Sequence, residues 1–168
     1  MENEPAFTPE RPVILDIGGE GRHPLAWNLN PRSRKTLGQE RGELIPRLIQ
    51  GRGDCIPLPD RTVDVLIAER TPLRLATLSE MLRVASPSAR IILRHANAYR
   101  RDPHHLAVQM LKGAVEQRMA MIGRQPVQET IIRLSYLHDD SGDNGDPLAT
   151  TDATSSQGES SPPSIDPC

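Results

Sequence analysis

The stretch VILDIGGEGRHPLAWNLNP, residues 13–31, combines a predicted strand, a glycine-rich turn and a second apolar segment. It begins with a short apolar run, residues 13–17, of the kind that forms a buried parallel strand. A glycine-rich turn follows at residues 18–21, and a second apolar segment follows at residues 25–29. This turn can hold a nucleotide, as in an enzyme, or it can be only a tight bend, as in a protein that serves as a scaffold. The role of the turn therefore distinguishes these two hypotheses.

The rest of the chain alternates predicted strands with predicted helices. Residues 32–47 are polar, contain Gly and Pro, and predict an irregular connection. Apolar spacing predicts helices at residues 72–85 and 103–122. The predicted strands are residues 12–17, 25–29, 48–50, 62–68, 89–95 and 129–137. Strands separated by helices predict the α/β class, as a Rossmann-like three-layer sandwich with a mainly parallel sheet.

Composition and charge divide the 168 residues into three parts. Residues 138–168 hold seven of the 22 acidic side chains and none of the 20 Lys and Arg side chains. This segment is also rich in Ser, Gly and Pro, and it lacks the apolar surface that would offset chain entropy. We therefore predict a flexible N-terminal segment at residues 1–11, one domain at residues 12–137 and an acidic disordered tail at residues 138–168.

Several classes of protein are disfavoured by the same composition. No run approaches the roughly 18 apolar residues of a membrane helix, and no Lys or Arg cluster is interleaved with aromatic residues, which are only 2% of the chain. We therefore expect neither membrane nor nucleic acid as a partner, and we expect a cytoplasmic protein. The only histidines near one another at a helix start, His104 and His105, point in different directions, so we predict no metal site.

Three blocks of the chain resemble a known family. The blocks LDIGGEG, GDCIPLPDRTVDVLIAER and LSEMLRVASPSARIILRH look like the motifs of the class I S-adenosylmethionine-dependent methyltransferases. In that family a D-x-G-x-G turn is followed by a G-D-x-x-x-L-P-x-x-D segment and by an E-x-x-R-V-L-x-P-G-G turn. The resemblance covers about residues 13–95 and implies S-adenosylmethionine as the cofactor.

The resemblance also implies a set of cofactor-binding residues. Asp16 and Gly18 would line the methionine end of the cofactor, and Gly18 and Gly19 would let the backbone approach it closely. Asp54 matches the acid that faces the adenine amino group. The full predicted set is Asp16, Gly18, Gly19, Asn28, Asp54, Cys55 and Glu69, where Asn28 matches the ribose-binding acid and Cys55 supplies a backbone amide to the adenine ring.

The residues that would carry the chemistry are not evident from the sequence. Methyl transfer depends chiefly on alignment, so no catalytic base is required. Glu69 and His95 stand at strand ends where a base or a substrate contact could act, although a surface polar residue is the simpler interpretation. We therefore expect a small methyltransferase-like protein whose methyl acceptor, a small molecule or a protein, is not identified.

Departures from the family pattern suggest a second hypothesis. Only six residues separate Gly21 from Asn28, too few for a helix after strand one, and only one strand is predicted after the last helix. The fold is therefore predicted to be reduced after strand one and at the C-terminal hairpin. The alternative to a methyltransferase is a catalytically degenerate Rossmann-like binding or interaction module, with a partner completing the edge of the sheet. The partners considered are another protein and a second copy in a homodimer.

Overall fold

The structure is a computed structural model that describes residues 11–96 and 102–135. The predictions for the N-terminal segment and for the acidic tail fall outside these residues, except at residue 11. No helix among the described residues is long and apolar enough to cross a membrane. The elements are β1 Ile14–Ile17, β2 Trp27–Asn30, β3 Leu48–Gln50, β4 Val63–Glu69, α1 Leu75–Val84, β5 Ala85–His95, α2 His105–Met110, β6 Gly113–Ile122 and β7 Gln125–Leu134.

The seven strands form one sheet in the order β3-β2-β1-β4-β5-β7-β6. The first five strands in this order pair in parallel, whereas β7 is antiparallel to both β5 and β6. The order 3-2-1-4-5 is that of a doubly wound Rossmann sheet. The predicted α/β class and the mainly parallel sheet are confirmed.

One face of the sheet carries the hydrophobic core. Side chains alternate between the two faces of a strand, so Leu15, Leu66 and Ile91 lie on the same face, and all three are fully buried. Leu78 and Met81 of α1 and Ala107 of α2 complete this cluster. Among the described residues both helices belong to this side. We call it the helix side and call the opposite face, which includes Asp16, Ile67 and Ile92, the helix-free face.

The chain runs from β1 to β2 without a helix, as the short spacing predicted. Residues 18–26 form turns and bends, and they bring β2 back to pair with β1 in parallel. The connections from β2 to β3 and from β3 to β4 are also irregular. The carboxyl edge of the sheet is therefore built from loops, which hold their shape through side-chain contacts.

The prediction of a single strand after the last helix is wrong. The predicted helix at residues 103–122 ends at Met110, and residues 113–122 form β6, which pairs with β7 along ten residues. The apolar spacing of residues 115–121 also fits a strand, because Val115, Met119 and Met121 share one face at a period of two. A two-residue turn with Gly123 at φ 59° joins the strands, so a reversed hairpin is present and this end of the fold is not reduced.

Candidate functional site

A cavity of about 320 Å³ lies on the helix side at the carboxyl edge of the sheet. The ends of β1 and β2 contribute Ile17 and Leu29, and the first turn of α1 contributes Thr77. Arg52 and Arg74 stand on the loops that border it. Ligands of open parallel sheets bind at this edge, and the volume falls within the roughly 300–1,000 Å³ of small-molecule sites.

Two glycines allow the backbone to form the wall of this cavity. Gly18 has φ 74°, and a Cβ there would lie 2.2 Å from Thr71 Oγ1. The Thr71 hydroxyl donates a hydrogen bond of 2.8 Å to the Ile17 carbonyl, which ties the loop after β4 to the end of β1. A Cβ at Gly53 would lie 3.1 Å from both Ile17 and Thr77. Larger residues at these positions would displace the loops that enclose the cavity.

Asp54 is the acidic side chain that lines this cavity. Arg52 donates two hydrogen bonds to its carboxylate, of 2.9 and 2.6 Å, and they hold the pKa of Asp54 below its usual range. Asp54 is therefore an ionised acceptor at neutral pH. The backbone amide of the neighbouring Cys55 donates to the Arg52 carbonyl at 3.0 Å, so it closes the turn that presents Asp54.

The sheet divides the sequence-predicted site residues into two groups. Gly18 and Asp54 line the cavity on the helix side. Asp16 pairs with Asn28 in the sheet, and both side chains lie on the helix-free face, as does Glu69. The division follows from the period of two along a strand, because Asp16 and Ile17 must point to opposite faces.

Asp16 is buried and has no hydrogen-bond partner among the described residues. It is 1% exposed, and neither carboxylate oxygen accepts a hydrogen bond within that part of the chain. The nearest cation-forming group is His23, whose Nε2 lies 4.0 Å from Asp16 Oδ2. Burial raises the pKa of Asp16 to about 6, although His23 and Arg22 act to lower it. An unpartnered buried carboxylate costs stability, which makes Asp16 a candidate functional group.

Asn28 and Gly19 complete the turn after β1. Asn28 accepts a hydrogen bond of 3.0 Å from the Gly21 amide and donates one of 2.8 Å to the Pro46 carbonyl. A Cβ at Gly19 would lie 2.4 Å from Asn28 Oδ1 and 2.7 Å from Asp16. The Asn28 side chain therefore links the turn after β1 to the loop before β3. Glycine is required at position 19 because a side chain there would collide with Asn28 and Asp16.

Glu69 begins a row of alternating charges on the helix-free face. The row consists of Glu69, Arg94, Glu129 and Arg118, which are register partners on β4, β5, β7 and β6. Arg94 forms an ion pair with both acids, and Arg118 Nε donates to Glu129 at 2.6 Å. His23, Arg22 and Arg94 together hold the pKa of Glu69 below its usual range against the effect of burial. Glu69 is thus an ionised member of this charge row.

His95, the other candidate base, is engaged at both ring nitrogens. Nε2 lies 2.6 Å from the Thr71 carbonyl, which can only accept, so Nε2 carries the proton. Nδ1 then accepts from His104 Nε2 at 2.9 Å, and His104 Nδ1 accepts from the Thr130 hydroxyl at 2.7 Å. Burial lowers the pKa of both rings, that of His104 to about 4. This neutral pair supports the Thr71 loop from behind the cavity.

A second, larger cavity of about 530 Å³ lies between residues 20–22 and residues 35–40. Several of its charged side chains already have partners. Glu20 accepts hydrogen bonds from the hydroxyl and the amide of Thr36, and Lys35 forms ion pairs with Glu40 and Glu43. The turn after β1, the loop between β2 and β3, and Arg70 just after β4 form its walls. Within the described ranges, no group of three His, Cys, Asp or Glu side chains is arranged to hold a metal ion.

The cavity on the helix side also uses residues that sequence reasoning did not single out. Thr71 and Arg74 follow β4, and Thr77 faces the cavity from the first turn of α1. The available signal was their position just past the end of the strongest predicted strand. The basic character of the cavity, with Arg52 and Arg74 around Asp54, could not be anticipated because loop side chains have no fixed periodicity.

Comparison with known proteins shows likeness in structure alone. The chain matches no family model and no curated protein sequence. Solved structures with a similar arrangement include a SAM-dependent methyltransferase from Aquifex aeolicus, at 19% identity and a TM-score of 0.46, covering 71% of this chain and 81% of that one. Another is a 16S rRNA (adenine(1408)-N(1))-methyltransferase from Catenulisporales acidiphilia, at 16% identity and a TM-score of 0.47, covering 74% of this chain and 88% of that one. A third is a SAM-dependent methyltransferase described as a possible histamine N-methyltransferase from Thermotoga maritima, at 17% identity and a TM-score of 0.49, covering 76% of this chain and 83% of that one. Identities this low concern the fold, so the substrates of those proteins are not transferred to this chain.

Proposed function

We propose that this protein binds S-adenosylmethionine in the 320 Å³ cavity and transfers its methyl group to an acceptor. In this reaction a nucleophile of the acceptor forms a bond to the methyl carbon while the sulfur–methyl bond breaks, and the sulfur keeps the electron pair as S-adenosylhomocysteine leaves. The observation that carries the proposal is the cavity itself, which combines the glycine turn after β1 with the acid after β3. The methyltransferase-like strand order supports the same proposal.

The residues around the cavity fit this ligand chemically. Asp54 is an ionised acceptor that suits the adenine amino group, and Gly18 and Gly53 keep the walls free of side chains. Arg52 holds the Asp54 carboxylate in place through two hydrogen bonds, and Arg74 helps to keep it ionised. The chain's own contribution would be to orient the ligand and to exclude water, which is how an enzyme without a catalytic base accelerates transfer.

Binding can be tested by calorimetric titration with S-adenosylmethionine and with S-adenosylhomocysteine. We expect micromolar affinity for both ligands. Asp54→Ala should weaken binding by roughly tenfold or more, since a hydrogen bond to a charged group contributes about 1.5–3 kcal/mol. The matched control is Asp60→Ala, because Asp60 also follows β3 and also pairs with an arginine, Arg83, but lies outside the cavity.

The outcomes separate the possibilities cleanly. Loss of binding in Asp54→Ala with normal binding in Asp60→Ala would support the cavity as the ligand site. Absence of heat and of a thermal shift for either ligand, in a protein that unfolds cooperatively, would contradict the proposal. Release of S-adenosylhomocysteine in the presence of pooled small-molecule or protein acceptors would then test turnover.

A second candidate function is a binding module that has lost turnover. The observation that favours it is the use of the family positions on the helix-free face for internal contacts. Asn28 brackets the turn after β1, and Glu69 belongs to the charge row. A protein that binds S-adenosylhomocysteine as tightly as S-adenosylmethionine but releases no product with any acceptor would favour this candidate.

A further inference from the structure

We propose that two copies of this chain associate through β6 as an antiparallel pair of strands. The two-fold axis lies midway between the two copies of Gln117, so Gln117 of one copy is opposite Gln117 of the other. The joined sheet would then run continuously from one copy to the other. The proposal is independent of ligand binding, because β6 lies at the end of the sheet opposite to the β1–β3 half that encloses the cavity.

Strand β6 is an exposed edge strand that carries apolar side chains. It is ten residues long, eight of them are exposed, and β7 is its only strand partner among the described residues. Three exposed apolar side chains, Val115, Met119 and Met121, share one face of this strand. Long apolar edge strands without Pro pair readily with another strand unless something covers them. The opposite edge, β3, has only three residues.

The pleat limits the ways in which two β6 strands can pair. A two-fold axis that makes the strands antiparallel stands perpendicular to the sheet, so each copy keeps its helix side on the same face. Residues that lie directly opposite each other must then share a face, so their positions differ by an even number. One position of β6 is therefore opposite the same position in the other copy, and this central position defines the register. Axes through Glu116 or Arg118 would set like charges against each other, which disfavours pairing.

The axis through Gln117 gives the complementary register. It sets Glu116 opposite Arg118 of the other copy, twice, on the helix-free face. It sets Val115 opposite Met119, also twice, on the helix side. Each of these pairs favours strand association, and the main-chain hydrogen bonds of a ladder over residues 113–121 add to this.

The charge row on the helix-free face supports the same register. The row alternates in sign from Glu69 through Arg94 and Glu129, and it ends at the sheet edge on Arg118, which is 59% exposed. In the paired strands the next position in the row is Glu116 of the other copy. The alternation would therefore continue across the axis, from a cation at the edge of one copy to an acid of the other.

Sedimentation equilibrium of the full chain tests the proposal. We expect the wild-type protein to approach twice the monomer mass as its concentration rises. Met119→Lys and Val115→Glu should each remain monomeric, because each places a charge opposite an apolar side chain. An equimolar mixture of these two variants should form a heterodimer. In that heterodimer the two introduced charges, of opposite sign, face each other on one side of the axis, while the native Val115 and Met119 face each other on the other side.

Controls keep this test decisive. Leu44→Lys introduces the same charge at a residue that is 66% exposed, in the β2–β3 loop, and should leave the dimer unchanged. Far-UV circular dichroism confirms that each variant is folded. A wild-type protein that stays monomeric at its highest soluble concentration, or that grows into open-ended assemblies, would overturn the proposal. Folded single variants that fail to form the mixed dimer would overturn the register.

Discussion

Two carboxylates on the helix-free face, Asp16 and Glu129, are buried to the same extent but are held in opposite ways. Each is 1% exposed. Burial acts to raise the pKa of Glu129, but hydrogen bonds from Arg94 and Arg118 outweigh it and hold that pKa below the usual range. Asp16 accepts no hydrogen bond from any described residue, and burial raises its pKa to about 6.

The difference distinguishes a structural acid from a candidate functional one. A buried acid with two arginine partners joins three strands of the sheet and stabilises the charged form. A buried acid with no partner costs the fold free energy, and such groups concentrate at sites where a ligand or a reaction uses them. Asp16 sits in the β1 motif beside the glycine turn, whereas Glu129 sits in β7, far along the chain from every recognised motif.

The largest effect should come from removing the charge of Glu129. Glu129→Gln should lower the free energy of unfolding by about 2 kcal/mol at pH 7, because it leaves Arg94 without its closest acid. Urea denaturation measures this. The paired state of Glu129 stabilises the fold above the ordinary pKa of a glutamate, and this contribution is lost as the pH falls through its lowered pKa.

A matched control exists on the neighbouring strand. Glu116 is exposed and lies 3.5 Å from Arg133, so Glu116→Gln should change the free energy of unfolding by less than about 0.5 kcal/mol. Equal losses in Glu129→Gln and Glu116→Gln would remove the distinction between a buried and a surface ion pair.

Asp16→Asn should have the opposite sign. At pH 7.5 we expect the free energy of unfolding to rise by about 1 kcal/mol, since the variant removes a buried charge while its amide still lacks full hydrogen bonding. The raised pKa means that Asp16 stabilises the fold most below pH 3.8, and that this contribution is lost as the pH rises through about 6.

The pH dependence of Asp16→Asn sharpens this prediction. Its advantage over the wild-type protein should shrink as the pH falls toward about 4, where the wild-type carboxyl is protonated. The groups that face Asp16 are His23, Arg22, Glu69 and Arg94, and the substitution leaves all four in place. A loss of stability at pH 7.5 would show that Asp16 has a structural role like that of Glu129.

Arg118→Gln should have a smaller effect than either acid substitution. Arg118 is 59% exposed, so its ion pair with Glu129 is screened by water, and Arg94 remains to bind the same acid. We expect a loss of roughly 0.5 kcal/mol in urea denaturation, reduced further in high salt. A loss as large as that of Glu129→Gln would mean that Arg118 alone compensates the buried charge.

The smallest change is a shift in titration. His23→Gln should raise the pKa of Asp16 further, because the His23 ring is the foremost group that lowers it. Carboxyl carbon NMR across a pH titration measures this directly, with Glu116 as an exposed internal reference. An unchanged or lowered Asp16 pKa would show that the His23 ring does not act on this carboxyl.

Most of the sheet could be predicted from local patterns. The strand at residues 48–50 coincides with β3, and the strand at 62–68 differs from β4 by one residue at each end. These segments are bounded by Gly, Pro and Asp residues that stop a strand locally. The hairpin was missed because residues 103–122 satisfy a helical period and a period of two at once, and only pairing with β7 selects the strand.

The candidate site was predictable only in part. The motifs identified Gly18 and Asp54, which line the cavity. They grouped these residues with Asp16, Asn28 and Glu69, which the pleat places on the other face. A motif records which residues follow a strand, whereas the face of the sheet on which each side chain emerges depends on the register with the neighbouring strands.

The amino-acid sequence is enough to predict the α/β class, the order of most elements, the absence of a helix between β1 and β2, and the glycine turn beside Asp16. These features follow from apolar periodicity, turn residues and spacing, which act over a few neighbouring residues. The folded structure is needed to establish that β6 is a strand, that Asp16 lacks a partner among the described residues while Glu129 has two, and that His95 supports a loop. Those outcomes depend on residues distant in the chain, brought together when the sheet pairs and water is excluded from its faces.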